Sequence, residues 1–438
     1  MNWKKCRNLL LLSCCLGGMQ PAAAQRDTLF LPVDRLFELG LKHSLQLQAD
    51  ALEENAARIR EQGARADRLP DLEVGLRGGF VGQPVVFRRG LSDPYRPDAP
   101  DWSQNYVVDF SQPIYRGGKL RHAIRRAGME RSLAALQSET DAADLKLNLL
   151  EAYLQLFCLY RQQKVLSRNI EESERRLHDI RRMKEEGLIT NNDVLRSEMQ
   201  LTDDRLALQQ AENDIALVSQ QLDILLGLDE ELLIRPDTAL LHRSVVLKSY
   251  DYYVEEACAA DPTMKRLRVE TDIARTDIDL ARAALRPEIS LYASNTLARP
   301  ISRTMEDLYN NNWNIGLSVS VPIFSLYKSS HKVRESRLAV SLHRNAVEQE
   351  MQRIRVRVRT ALLRHREAVQ QVEALQLSER QARENYRIMQ NRYMNQLAIL
   401  TDLLDANSVR LDVELQLTEA RTRVIYTYHQ LLRACGQL

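Results

Sequence analysis

From Met351 to Tyr393, apolar positions recur in an unbroken alternation of three and four. They are Met351, Ile354, Val358, Ala361, His365, Ala368, Val372, Leu375, Glu379, Ala382, Tyr386, Met389 and Tyr393. Only His365 and Glu379 depart from an apolar seam. A heptad held this long predicts one long helix packed lengthwise on a partner. No helix breaker lies between Pro322 and Asn395. The helix is therefore expected over about 328–393, roughly 100 Å at ~1.5 Å per residue.

The pattern occurs twice. Pro113 and Pro322 are 209 positions apart, as are Asp193 and Asp402, and Gly227 and Gly436. The local text agrees: SQPIY against SVPIF, NDVL against TDLL. A period this long is a duplication of a domain, not a solenoid. The first repeat is expected over 25–227, with a long helix over about 119–184, and the second over 251–438. Residues 228–250 between them read as a small packing layer. That first helix carries two apolar stripes. One runs Leu133, Leu136, Thr140, Ala143, Leu147, Leu150, Leu154 and Phe157. The other runs Leu145, Leu149, Ala152, Leu156 and Leu159. They lie roughly 160° apart at ~100° per residue, which suits a helix with a neighbour on each flank.

Elsewhere the period drops to two. Strands are expected over about 71–80, 102–112, 288–297 and 313–322, with a Pro-rich loop over 81–101. The cleanest is the last, where Trp313, Ile315, Leu317, Val319 and Val321 alternate with Asn314, Gly316, Ser318 and Ser320. Its length of about ten residues suits a tilted strand across an outer membrane. Trp102, Trp313, Tyr115 and Phe324 sit near strand ends, as interfacial aromatics do. A half-buried hairpin of a soluble protein gives the same alternation. Four strands do not close a barrel, so spanning a membrane requires several copies to pool them.

Composition narrows the class. The 438 residues carry a net charge of +2 with 27% charged residues, which marks neither a disordered chain nor a polyanion binder. Residues 1–24 resemble a secretory signal, with Lys4, Lys5 and Arg7 before Leu9–Leu16 and Ala22-Ala23-Ala24. Lipidation at Cys14 or Cys15 is the rival. Cys158, Cys258 and Cys435 are too few and too spread for a disulfide framework, and Cys158 reads as a buried free thiol. Nothing later offers the ~18 apolar residues of a transmembrane helix.

No nucleophile, metal-binding, phosphate-binding or dinucleotide motif is present, so neither catalysis nor a cofactor is expected. Arg116-Gly117-Gly118-Lys119 reads as a strand-to-helix turn. Arg353, Arg355, Arg357, Arg359, Arg364 and Arg366 scatter round a solvated helix face among acidic residues, which argues against nucleic acid. Glu186-Gly187-Leu188-Ile189 reads as a turn, and Thr190 to Asp193 as a helix cap. Asp402 and Asp405 face the same way at a helix start. They either complement the helix dipole or, repeated round a ring of subunits, form a cation-attracting mouth.

Together, FSQPIYRGGKLR at 110–121, EEGLITNNDVL at 185–195 and TDLLDAN at 401–407 resemble the TolC-type outer-membrane efflux proteins. The resemblance covers essentially the whole mature chain. It implies a mainly α fold with a small β part: duplicated long-helix hairpins forming a trimeric α-barrel, and four strands contributed to a twelve-stranded transmembrane β-barrel. It implies a homotrimer in outer-membrane lipid with a periplasmic tunnel, fed by an inner-membrane transporter through a periplasmic adaptor. Asp402, Asp405 and Tyr393 match the family's periplasmic gate, and Gly187-Leu188 its adaptor-contact tip. The gate's usual arginine falls on Ala398. In the second repeat Gln396 replaces the tip glycine and Ile399 the usual Ser or Thr. The other reading is an exported periplasmic coiled-coil scaffold without a pore.

Overall fold

The computed structural model describes residues 27–97, 100–237, 246–299, 307–323 and 325–438. The expected signal segment 1–24, Cys14, Cys15 and Phe324 lie outside the described residues. The chain forms two compact units, 27–36 with 152–237, and 37–151 with 246–438.

In the first unit, β1 (Thr28–Leu31) pairs in parallel with β6 (Leu233–Pro236). Only β6 lies in the expected packing layer 228–250, β1 falling in the first repeat, and neither strand was legible as one. Tyr153 clamps it from the second half of α3 (Lys119–Glu185): its hydroxyl donates to Leu31 O and accepts from Asp237 N, both at 2.6 Å. That half of α3 runs against α4 (Asn191–Leu226). The pair is joined through Asn169, whose amide donates to Asp204 Oδ2 at 2.7 Å, and Ser173, whose hydroxyl donates to the same oxygen at 3.1 Å.

The second unit repeats one scheme. A broken helix enters a strand, a strand leaves into a long helix. The breaks fall at Ser44, between α1 (Val33–His43) and α2 (Leu45–Ala66), and at Asp261-Pro262, between α5 (Tyr250–Ala260) and α6 (Pro262–Ala283). Ser44 Oγ and Asp261 Oδ1 each accept from a first-turn N–H, so each break caps the next helix. The long helices are α3 and α7 (Ser325–Met394), 67 and 70 residues. α8 (Leu400–Ala434) returns along α7.

Every one of the seam residues from Met351 to Tyr393 is buried or half-buried. The two misfits have partners. His365 Nδ1 lies 3.0 Å from the Thr427 hydroxyl on α8, and burial lowers its basicity. Glu379 pairs with Arg383 one turn on. Arg357 departs from the expected solvated scatter: its guanidinium bonds the buried Asp261 carboxylate. Cys158 is half-buried instead of buried, and Cys435 is fully buried, with burial pushing its thiol up to about 12.

The helices of this unit form a layer in the order α2, α3, α6, α7. Arg131 of α3 is 3.7 Å from Glu61 of α2, Arg126 is 3.0 Å from Asp277 of α6, and His343 of α7 is 3.7 Å from Glu270 of α6. The strands follow the same order: β2 (Asp71–Phe80), β5 (Trp102–Arg116), β7 (Glu288–Arg299), β8 (Asn310–Ser320), all antiparallel. β5 runs further than expected, past Pro113, where the register shifts, because proline offers no N–H to the ladder. Within the expected loop, β3 (Val86–Arg89) and β4 (Ser92–Tyr95) form a hairpin turned at Gly90, φ 57°. Pro84 and Pro94 hid it, since a strand pair this short has no core to set a pattern.

Candidate functional site

Register turns four separate alternations into one surface. Directly opposed residues share a face. Leu72 opposes Phe110, which opposes Ala293, which opposes Ile315. The neighbouring rows on that face carry Val74, Val108, Leu76, Tyr106, Leu291, Leu317, Ile289 and Val319. At one end Phe80 stacks edge-on against Trp102, 4.7 Å between centroids. The other face carries Glu73, Asp109, Ser294 and Asn314 in one row, with Ser290 and Ser318 in another.

On the apolar face Trp313, Ile315, Leu317 and Val319 are 73%, 63%, 59% and 58% exposed. Val321, expected with them, lies one residue past the end of β8 and is also exposed. A contiguous row of large apolar side chains this exposed marks a surface made to meet lipid or protein. The sheet's two edges are β2 and β8.

The edge helices are equally unfinished. α2 presents Leu45, Ala49, Leu52, Ala56, Ile59 and Gly63 to solvent, a heptad seam of its own. α7 presents Leu338 and Leu342, 67% and 71% exposed.

The two hairpin turns belong to different units. At the α3–α4 turn Gly187 has φ 75°, its N–H donating to Lys184 O and the Leu188 N–H to Met183 O, both at 2.9 Å. This pair of bonds is a Schellman closure. Leu188 is exposed at the turn. The Asp193 carboxylate accepts from the Thr190 N–H at 3.1 Å and the Thr190 hydroxyl at 2.8 Å.

At the α7–α8 turn Gln396 has φ 59°, with its N–H on Tyr393 O at 2.9 Å and the Leu397 N–H on Arg392 O at 2.8 Å. The turn expected at a glycine thus persists without one. Ile399 takes the N-cap backbone but supplies no cap bond. Asp402 and Asp405 are both exposed on the first two turns of α8, while Tyr393 is 5% exposed in the α7–α8 seam. One step further along the seam, Arg410 of α8 lies 4.3 Å over the Tyr386 ring and donates to Asn407 Oδ1 at 2.9 Å. Nothing in the local spacing singled out that cation–π contact.

The sequence model described as outer membrane efflux protein matches residues 36–228 and again 253–437. The chain belongs to the outer membrane efflux protein family. Each repeat matches separately, and the family's setting is the outer membrane, which displaces the periplasmic-scaffold reading. The alkaline protease secretion protein AprF of Pseudomonas aeruginosa is 26% identical over 303 residues, 66% of this chain and 60% of the relative. The pyoverdine export outer membrane protein OpmQ of the same organism is 26% identical over 315 residues, 67% of this chain and 61% of the relative. The chain thus spans about 60% of the length of these curated relatives.

Among solved structures, CusC, described with transmembrane channel formation, superposes with a TM-score of 0.78 at 18% identity, covering 93% of each chain. The outer membrane protein VceC of Vibrio cholerae gives 0.73 at 18%, covering 92% and 96%. The outer membrane efflux fold therefore extends over nearly all of this chain.

Proposed function

We propose that three copies of this chain close into one outer-membrane channel with a periplasmic tunnel, which conducts cargo from an inner-membrane transporter and its periplasmic adaptor to the exterior, without catalysis. The observation that carries the reading is the half-finished layer. A four-strand sheet, apolar on one face and polar on the other, ends at β2 and β8. The helices joined to those strands, α2 and α7, expose apolar seams at the same two edges. Bare strand edges are not stable in lipid, so β2 of one copy meets β8 of the next. Three copies give twelve strands, with Trp313, Ile315, Leu317, Val319 and Val321 toward lipid and the serine and asparagine face toward a wet lumen.

In this reading Asp402, Asp405 and Tyr393 belong to the periplasmic gate. The carboxylates are exposed to attract cations, and the buried tyrosine fixes α7 against α8 beside them. Gly187-Leu188 is the adaptor contact, an apolar knob on a rigid, capped turn. Gel migration tests assembly. Protein from the outer-membrane fraction should run as a compact trimer unheated and as a monomer after boiling. Recovery only as a soluble periplasmic monomer would refute it.

A further inference from the structure

Two carboxyl groups bridge α2 and α3 with no cation between them. Asp50 on α2 is 5% exposed, and Asp141 stands on α3. The Gln46 amide donates to Asp50 Oδ1 at 3.2 Å and to Asp141 Oδ2 at 3.4 Å. The other oxygen of Asp141 accepts from Gln137 at 2.9 Å, and Gln137 in turn accepts from Arg266 of α6. Asp50 Oδ2 is buried with no donor. The further charged neighbour on its own helix, Glu53, is acidic too.

The second repeat has no carboxylate matching Asp50, which falls on Leu267 at the 217-residue spacing of Ser44 and Asp261. It too buries two carboxylates in this helix layer. Adding 209 to Asp141 gives Glu350, and Asp261 caps α6 as Ser44 caps α2. Glu350 and Asp261 are 4% and 0% exposed. Arg357 joins them, 3.4 Å from Glu350 Oε1 and bonded to Asp261 Oδ2. Subtracting 209 from 357 gives Asn148. The first repeat has no arginine there.

We propose that a proton does for this pair what Arg357 does for the second repeat's carboxylates: Asp50 is held as the neutral acid, and the Asp50–Asp141 pair is a pH-sensitive bolt between α2 and α3. A buried ionised carboxylate without a donor is strongly disfavoured, and a second carboxylate beside it disfavours it further. Burial, then the Asp141 charge, hold the Asp50 carboxyl above the usual carboxylate range. Asp50 faces α3, while the opposite side of α2 carries the Leu45, Leu52, Ile59 seam. Ionisation therefore loosens the helix that meets the next copy, a last step that rests on the channel reading above.

The folded-state value is raised, so native stability is fully present only below the ordinary carboxylate value, where folded and unfolded chains are both protonated. Stability falls as the pH climbs from that ordinary value through the raised one. Thermal unfolding of the full chain, wild type against Asp50→Asn, tests this between about pH 4 and pH 8. Asp50→Asn should gain on wild type by several degrees across that range. Asp141→Asn should remove part of the pH-dependent deficit by taking away the neighbouring charge, leaving the larger part that burial causes. A difference that does not change with pH, or an Asp50→Asn chain that falls behind at high pH, overturns the proposal. Unfolding is read whatever the oligomeric state, so loss of trimers on gels contradicts the channel reading without touching the Asp50 result.

Discussion

The α3–α4 turn and the α7–α8 turn trace one backbone with different residues. Each places its pivot in the left-handed region and closes with the same two hydrogen bonds. Gly187 adopts that φ without penalty, and Asp193 seals the following helix on Thr190. Gln396 adopts it against its own Cβ, at roughly 1 kcal/mol, and Ile399 leaves the next helix uncapped, roughly another 1 kcal/mol. The second turn therefore holds its shape from below. His365 with Thr427, and Tyr386 with Arg410, tie α7 to α8 along the seam. In return it displays Leu397 and Ile399, 67% and 65% exposed, where the first turn offers Leu188 and a capping threonine. Tertiary packing, not turn chemistry, preserves the duplicated geometry.

The largest expected effect is on the better-formed turn. Leu188→Asp puts a charge on the apolar knob without touching Gly187 or the cap. Export should be lost while trimer assembly and insertion stay normal. Normal export, or failed assembly, would remove the docking role and with it the functional half of the contrast.

The second turn is distinguished by the carboxylates that follow it. Asp402→Asn with Asp405→Asn removes up to six charges from a trimer while keeping side-chain size. Asn also keeps most of the capping ability of Asp, so folding should change little. Single-channel recordings should show weaker cation preference and weaker block by divalent cations. With Ala398 where the family's arginine stands, the wild-type channel should also leak at rest. Unchanged selectivity and block would return both residues to a helix-dipole role.

The smallest effects measure the comparison itself. Thr190→Ala should lower stability by about 1 kcal/mol, whereas Gln396→Gly should raise it by about 0.5–1 kcal/mol. Opposite shifts in thermal midpoint are expected. Shifts of the same sign would mean that the two turns are not energetic opposites.

Much of this was legible because long periodicities leave little choice. The Met351–Tyr393 heptad, with Pro322 upstream and no breaker before Asn395, brought the expected 328–393 close to both ends of α7. Strand alternation likewise identified which side chains share a face within each strand. Joining the four strands needed register, which only structure supplies. The β3–β4 hairpin and the β1–β6 pair are too short for a pattern to rise above their prolines and loops. Arg357 misled for another reason. On its helix it looks solvated, and its partner Asp261 comes from 96 positions away.

The central claim is that the odd positions of β8 face lipid and the even positions face water. Leu317 and Ser318 are neighbours on opposite faces, opposed by Leu291 and Ser290. An arginine on the lipid face near the midplane costs ~2–4 kcal/mol per protomer, felt three times in a trimer. Trimer yield in membrane fractions should therefore collapse for Leu317→Arg and stay near wild type for Ser318→Arg. Equal yields for the two variants would contradict the account.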